Sequence, residues 1–157
     1  MKKLVFRTLV AVLVLQVLLF DNLSAVRADE TSCPPPTYVT IDIKPGNSQN
    51  RIKLSSRGVL AVAVLSTQDF DASQFTPEMA HLSDSSLAMT ESCTGAIAQR
   101  WSLDDENGDG QLDLVFFFKI QDLNLTLSSA AATLMAHGSY TSTAMHIVGT
   151  DSVQVVP

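Results

Sequence analysis

The residue types best suited to chemistry in this chain lie in one acidic segment, residues 104–113, which reads Asp-Asp-Glu-Asn-Gly-Asp-Gly-Gln-Leu-Asp. Oxygen donors recur there at every second position. Calcium takes about 6–8 oxygens at roughly 2.3–2.6 Å, and magnesium is smaller and stricter in geometry. The spacing therefore predicts a Ca²⁺ site made by four side chains and one backbone carbonyl, that of Gln111: Asp105, Asn107, Asp109, Gln111 and Asp113.

The flanks of this loop predict a structural ion and not a calcium sensor. An EF-hand would need a bidentate acid where Phe116 stands, and the stretches on both sides have strand character and lack helical periodicity. A loop between two strands has no helix pair to open. Five formal negative charges within ten residues also favour neutralisation by a divalent cation. The alternative is an Asn-Gly/Asp-Gly turn that is acidic for solubility.

Catalytic motifs are weak elsewhere, so we expect no enzyme. The three histidines lack metal-ligand spacing, and no Gly-x-Ser-x-Gly elbow occurs. His137 and Ser139 are two apart on a predicted strand, which does not by itself make a base and a nucleophile. His146 alternates with Met145 and Ile147 and is predicted to point outward into solvent. Glycoside hydrolases use a pair of acidic residues, and Asp69 with Asp71 is such a pair, so a hydrolase is the less favoured alternative function.

The first 28 residues predict a secretory signal peptide. Three basic residues, Lys2, Lys3 and Arg7, precede an apolar run over residues 9–20, and cleavage is expected after Ala28. The run is shorter than the ~20 residues that span a bilayer, although an uncleaved anchor is the alternative. We therefore expect an extracellular or periplasmic protein, with no membrane insertion once the signal is removed.

The charge and length of the mature chain limit its possible partners and its number of domains. Cleavage after residue 28 leaves 129 residues with six basic and fifteen acidic side chains, a formal net charge of −9. Such acidity disfavours nucleic acid as a partner. The length suits one domain, predicted over residues 38–157 after an extended N-terminal lead at 29–37 that contains Pro34-Pro35-Pro36.

Cys33 and Cys93 are the two cysteines of the chain. An even count in an exported protein predicts one disulfide, which would tie the N-terminal lead to the domain. Two separate free thiols are the alternative.

Short strands separated by turn residues dominate the rest of the pattern. Strands are predicted at residues 39–43, 52–54, 59–65, 96–101, 112–120, 123–127, 131–136, 143–148 and 152–156, and a helical turn is predicted to start near Thr76-Pro77-Glu78. We expect an all-β, antiparallel two-sheet β-sandwich, with a partly closed β-barrel as the alternative. After the acidic loop, Leu114, Phe116 and Phe118 should face the core, which leaves Phe117 and Lys119 on the other face.

Several segments together resemble a module of secreted bacterial and archaeal proteins that occurs in surface and exosortase-sorted chains and has no assigned enzymatic activity. The resemblance covers residues 38–156, and its most specific parts are Ile41-Asp42-Ile43-Lys44-Pro45-Gly46 and the DxNxDGxxD loop at 105–113. It implies an extracytoplasmic calcium-bearing module.

The expected role is therefore surface association or adhesion through an unknown surface protein or polysaccharide. Carbohydrate binding is the rival function, because secreted β-sandwiches often present aromatic platforms to sugars. Only Trp101, Tyr38 and Tyr140 combine an aromatic ring with a polar edge, and Trp101 precedes the acidic loop, where bracing that loop is the favoured role.

Overall fold

The computed structural model describes residues 35–87 and 95–157, which form one compact unit. Eleven strands and two short 3₁₀ turns occur in these ranges. The strands are β1 Thr37–Tyr38, β2 Ile41–Ile43, β3 Arg51–Lys53, β4 Val59–Val64, β5 Phe75–Asp84, β6 Ala96–Ile97, β7 Arg100–Asp104, β8 Asp113–Lys119, β9 Ala131–Tyr140, β10 Thr143–Ser152 and β11 Gln154–Val156. The 3₁₀ turns are Ala72–Gln74 and Ile120–Asp122.

The strands form a five-stranded sheet in the order β1-β10-β9-β5-β6, a four-stranded sheet in the order β2-β4-β8-β7, and a two-stranded pair, β11-β3. Pairing is antiparallel except for β1 with β10 and β11 with β3. The sheets do not close on themselves. The predicted all-β sandwich is confirmed, and the barrel alternative is wrong.

The core lies where period-two alternation places large apolar side chains. In β8 the side chains of Leu114, Phe116 and Phe118 are at most 1% exposed, as predicted. They belong to one cluster that also includes Leu82 of β5 and Leu134 of β9, so residues of both main sheets share a core. On the other side of β8, the Arg100 guanidinium lies 3.5 Å from the centre of the Phe117 ring, which is thus covered by a cation–π contact.

Three local predictions differ from the structure. The expected helical turn at residues 76–78 lies within β5, which is ten residues long because its backbone pairs with β9; Pro77 is tolerated there beside a bulge between Pro77 and Met79. Residues 123–127 form no strand, although their composition suggested one. The predicted strand at 96–101 is divided between β6 of the five-stranded sheet and β7 of the four-stranded sheet.

A polar contact links the two main sheets. The Asp151 carboxylate at the end of β10 accepts hydrogen bonds from the Ile43 N–H (3.0 Å) and the Asn50 Nδ2 (2.7 Å), and Asn50 also donates to the Ser152 carbonyl (2.9 Å). Asn50 is buried and has a left-handed backbone (φ 45°), a conformation that asparagine tolerates better than most residues. One carboxylate therefore joins β10 to β2 and to the turn before β3.

Several predictions fall outside the described ranges. These are the signal peptide at 1–28, most of the lead at 29–37, and both cysteines of the expected disulfide. Strand pairing begins at Thr37, one residue before the predicted domain start. Within residues 35–87 and 95–157, no helix has the length and apolar character needed to cross a membrane.

Candidate metal loop and its surroundings

The acidic loop lies between β7 and β8, which pair with each other up to Asp104 and Asp113. It therefore connects two strands, as predicted. Its local conformation is organised by Asp105. One carboxylate oxygen of Asp105 accepts the backbone N–H groups of Gly108 (2.8 Å) and Asp109 (3.1 Å), and the other accepts that of Gly110 (2.9 Å). The chain thus curls around this carboxylate.

Positive φ angles make that curl possible. Gly108 and Gly110 have φ of 75° and 86°, a region that side-chain-bearing residues rarely adopt. The two glycines of the motif are therefore required by backbone geometry, whether or not an ion is bound.

Asn107 and Asp109 are joined to each other inside the loop. The Asn107 side chain accepts from the Asp109 N–H (2.9 Å) and donates to the Asp109 carboxylate (3.0 Å), which also accepts the Gln111 N–H (2.8 Å). The Gln111 N–H, and after it the Asn107 amide, lower the pKa of Asp109 below its ordinary value. Asp109 therefore remains an anionic oxygen donor over a wide pH range.

Asp113 differs from the other four expected ligands because it is completely buried. One of its oxygens accepts the Ser66 N–H (2.8 Å) and the other accepts the Glu106 N–H (3.1 Å). A carboxylate oxygen has two lone-pair directions, so each keeps one for a further partner. Asp113 thus holds the loop to the β4 side of the four-stranded sheet.

Negative charge accumulates around Glu106. Burial raises the pKa of Glu106, and the nearby carboxylates of Asp104, Asp113 and Asp42 raise it further. Burial and the carboxylate of Asp151 likewise raise the pKa of Asp42. The loop and its surroundings therefore favour a positive partner on electrostatic grounds.

The chemistry of these side chains suits calcium, but their arrangement in the structure is not that of a ready-made calcium site. Within the described ranges, no three His, Cys, Asp or Glu side chains gather as a ready-made metal site. Hydrogen bonds do bring Asn107, Asp109 and Gln111 together around the turn made by Asp105, whereas Asp113 is directed to the N–H groups of Ser66 and Glu106. The donors are all oxygens, as a hard cation requires. Binding an ion would require the Asn107–Asp109 bond to be exchanged for ion contacts.

Ser66 is the residue at this site that local sequence reasoning missed. Its N–H donates to Asp113, its hydroxyl donates to the Leu112 carbonyl (2.8 Å), and the same hydroxyl accepts the Ala72 N–H (2.9 Å). Ser66 is 47 positions from Asp113 in the chain, and only the pairing of β4 with β8 brings the two together. No signal in the sequence near Ser66 indicated this contact.

Two other features beside the loop bear on function. Trp101 on β7, an outermost strand of its sheet, is 46% exposed, and Leu103 and Leu112 are exposed nearby. The three histidines lie on the five-stranded sheet, where His137 and His146 stack with ring centres 4.3 Å apart. His146 is thus not the freely solvated side chain expected from its alternation, since its Nε2 is buried.

No protein-family model, curated protein or solved structure matches this chain. The resemblance to the secreted bacterial and archaeal module therefore stays a prediction based on the motifs named above.

Proposed function

We propose that this protein is a secreted, non-catalytic β-sandwich module that binds one structural calcium ion through residues 105–113 and associates with a surface protein or polysaccharide. The proposal rests on the conformation of the loop backbone. The Asp105 carboxylate accepts three backbone N–H groups, so the chain curls around it. Asn107 and Asp109 supply further oxygens. Similar spacing of oxygens around a glycine turn is what calcium loops use.

Electrostatics and position both support a structural ion. Burial raises the pKa of Glu106, and repulsion from Asp104 and Asp113 raises it further, so a divalent cation would offset that repulsion. The loop connects directly to β8, whose apolar side chains lie at the centre of the core. An ion held there would order the entry to a core strand and would leave the sheets in place.

Calcium titration by calorimetry, on chelator-treated protein expressed from the full chain, tests the metal. We expect one site per chain. Asp109→Ala should weaken binding at least about tenfold, because it removes a charged ligand. Asp109 is the informative position because it is exposed and supports no core contact.

Two matched variants complete the test. Asp69→Ala removes an equally exposed acid outside the loop and should bind calcium as the parent does. Gln111→Ala should also bind normally, since only its backbone carbonyl is a predicted ligand. If Asp109→Ala binds calcium as tightly as Asp69→Ala, the segment is an ordinary acidic turn.

Carbohydrate binding is the second candidate, and the exposure of Trp101 on an outermost strand favours it. Because the chain contains a single tryptophan, its fluorescence reports on this position alone. Saturable quenching or a blue shift on adding soluble polysaccharides, abolished in Trp101→Ala, would support sugar binding. An unchanged spectrum, together with calcium-dependent retention of the protein on cell-envelope fractions, would instead support a protein partner.

A further inference from the structure

Imidazole and thioether side chains alternate on one face of the five-stranded sheet. Strand register places Met79, His137 and His146 side by side on β5, β9 and β10. Two positions further along the same strands, His81 of β5 pairs with Met135 of β9. We call these five residues the His–Met patch: Met79, His81, Met135, His137 and His146.

The patch lies on the face of the sheet opposite the core. The residues that alternate with it, Ala80, Leu82 and Ala136, are at most 3% exposed and belong to the core cluster. Side chains at successive strand positions point to opposite faces, so the patch residues share the outer face. Met79 is 49% exposed, which leaves the row of Met79, His137 and His146 open to small solutes.

One ring nitrogen in the patch is buried without a hydrogen-bond partner among the described residues, and it is the Nε2 of His146. His81 is only 5% exposed. A buried polar atom without a partner costs about 1–3 kcal/mol. Such an atom in a native protein calls for an explanation, and binding of an ion is one of the established ones.

We propose that the His–Met patch binds a copper ion, with His137 and His146 as the imidazole ligands and Met79 as the adjacent thioether. Thioether ligands are soft and select Cu⁺, while imidazole also suits Cu²⁺; calcium and magnesium prefer oxygen. The patch is thus chemically distinct from the acidic loop, and the proposal does not depend on the proposed function.

The stacked rings need to turn for this role. The two imidazole planes differ by 17°, an arrangement that packs the rings face to face. Metal binding would require each ring to rotate about its terminal torsion, which has a broad energy profile, so that a nitrogen faces the shared ion. His81 and Met135 lie two positions further along their strands, and within the described ranges the three histidines do not form one ready-made cluster.

The test uses untagged protein expressed from the full chain, with its thiols alkylated so that Cys33 and Cys93 cannot bind copper. Excess calcium saturates the acidic loop. Cu⁺ is added without oxygen in competition with the chromophoric chelator bathocuproine disulfonate, and Cu²⁺ is followed by electron paramagnetic resonance. We expect one copper per chain and nitrogen hyperfine structure in the Cu²⁺ spectrum.

Variants separate the ligands. His137→Gln with His146→Gln should weaken binding of both ions by about a hundredfold or more, since even indirect supports of a metal site contribute about 10–100-fold. Met79→Leu should weaken Cu⁺ but leave Cu²⁺ nearly unchanged, because a thioether prefers the softer ion. Met145→Leu makes the same substitution on β10, beside His146 but on the core side of the sheet, and should match the parent.

Three outcomes would overturn the proposal: no competition with the chelator, equal copper affinity of the parent and the double histidine variant, or tighter binding of Zn²⁺ than of copper. If the double variant fails to fold by circular dichroism, Met79→Leu decides the question, since Met79 is half exposed and its replacement preserves apolar volume. Cu⁺ affinity unchanged in Met79→Leu would then exclude the thioether.

Discussion

At the scale of single residues, Asp113 connects the acidic loop to the core. It is predicted to be a calcium ligand, and in the structure it is the most buried of the five candidates, with both oxygens accepting backbone N–H groups. A carboxylate in that position stabilises the fold even without an ion, because the Ser66 N–H beside it is buried and needs an acceptor. Asp109 is exposed, and the Gln111 N–H that it accepts belongs to an exposed residue that water can reach, so the two acids should respond differently to mutation.

We predict that Asp113→Ala destabilises the protein by about 2–4 kcal/mol, even when calcium is absent, because it leaves the N–H groups of Ser66 and Glu106 without an acceptor. Urea unfolding in the presence of a chelator measures the loss. Asp104→Ala is the control, since Asp104 faces Asp113 across the strand pair but is exposed, and its cost should be below about 0.5 kcal/mol. Equal stability of the two variants would contradict a structural role for Asp113.

At the scale of elements, close contact between β5 and β9 depends on Gly138. A Cβ at this position would lie 2.2 Å from the Thr76 carbonyl oxygen and 2.8 Å from the Phe75 ring. The obstacle is partly backbone, which cannot move aside without displacing the β5 bulge. The glycine is therefore explained by packing and not by a left-handed conformation.

We predict that Gly138→Ala costs at least about 1–3 kcal/mol, the usual range for inserting volume into a packed interior. Ser139→Ala, one position along and on the outer face, should be nearly neutral. Thermal unfolding of both variants provides the comparison. A stable Gly138→Ala protein would show that the contact between the two strands is looser than the structure indicates.

The end of β5 is fixed by an ionisable contact. The Asp84 carboxylate accepts a hydrogen bond from the Ser129 hydroxyl and, on its other oxygen, from the N–H and hydroxyl of Ser86. These hydrogen bonds lower the pKa of Asp84 below its ordinary value of 3.8, and the bond from Ser129 has the largest effect. The side chain thus links the strand end to the segment that precedes β9.

We predict an acid-dependent loss of stability at Asp84. Because its folded-state pKa is lower than the unfolded value, the contribution is fully present above about pH 4 and is lost as pH falls through the folded-state pKa. The free energy of unfolding should therefore decrease less steeply below pH 4 in Asp84→Asn than in the parent. Identical pH profiles in denaturant titrations from pH 2 to 6 would show that the contact contributes nothing.

At the scale of the whole molecule, calcium should stabilise the sandwich without rearranging it. The apolar core joins both main sheets, and the Asp151 contact links them independently of the loop. An ion at residues 105–113 would add stability to the native state alone. That contribution is about 2.7 kcal/mol when free calcium is a hundredfold above its dissociation constant.

We predict that chelation lowers the melting temperature by several degrees, since 1 kcal/mol corresponds to about 2–8 °C at this size. The far-ultraviolet circular dichroism at room temperature should hardly change. Magnesium in place of calcium should restore little of the loss. A large change in the sheet signal on chelation would instead indicate a calcium-driven conformational change, and an unchanged melting temperature would count against the ion.

The sequence by itself determined the local features of this protein. Alternation in Ile41-Asp42-Ile43 and in residues 114–118 predicted strands and the face that each buries, because side-chain direction along a strand depends only on neighbouring residues. The acidic loop between two strands was equally readable, since its turn is made by hydrogen bonds among residues at most five positions apart.

Only the tertiary structure decided which distant segments meet. Residues 76–78 are strand and not helix because β9 supplies their partners, and Asp113 is buried because Ser66, far away in the chain, lies against it. The His–Met patch likewise exists only through the register of β5, β9 and β10. Cross-strand contacts arise from pairing between separate segments, and a shift of one residue would send every side chain to the other face, so no local pattern contains them.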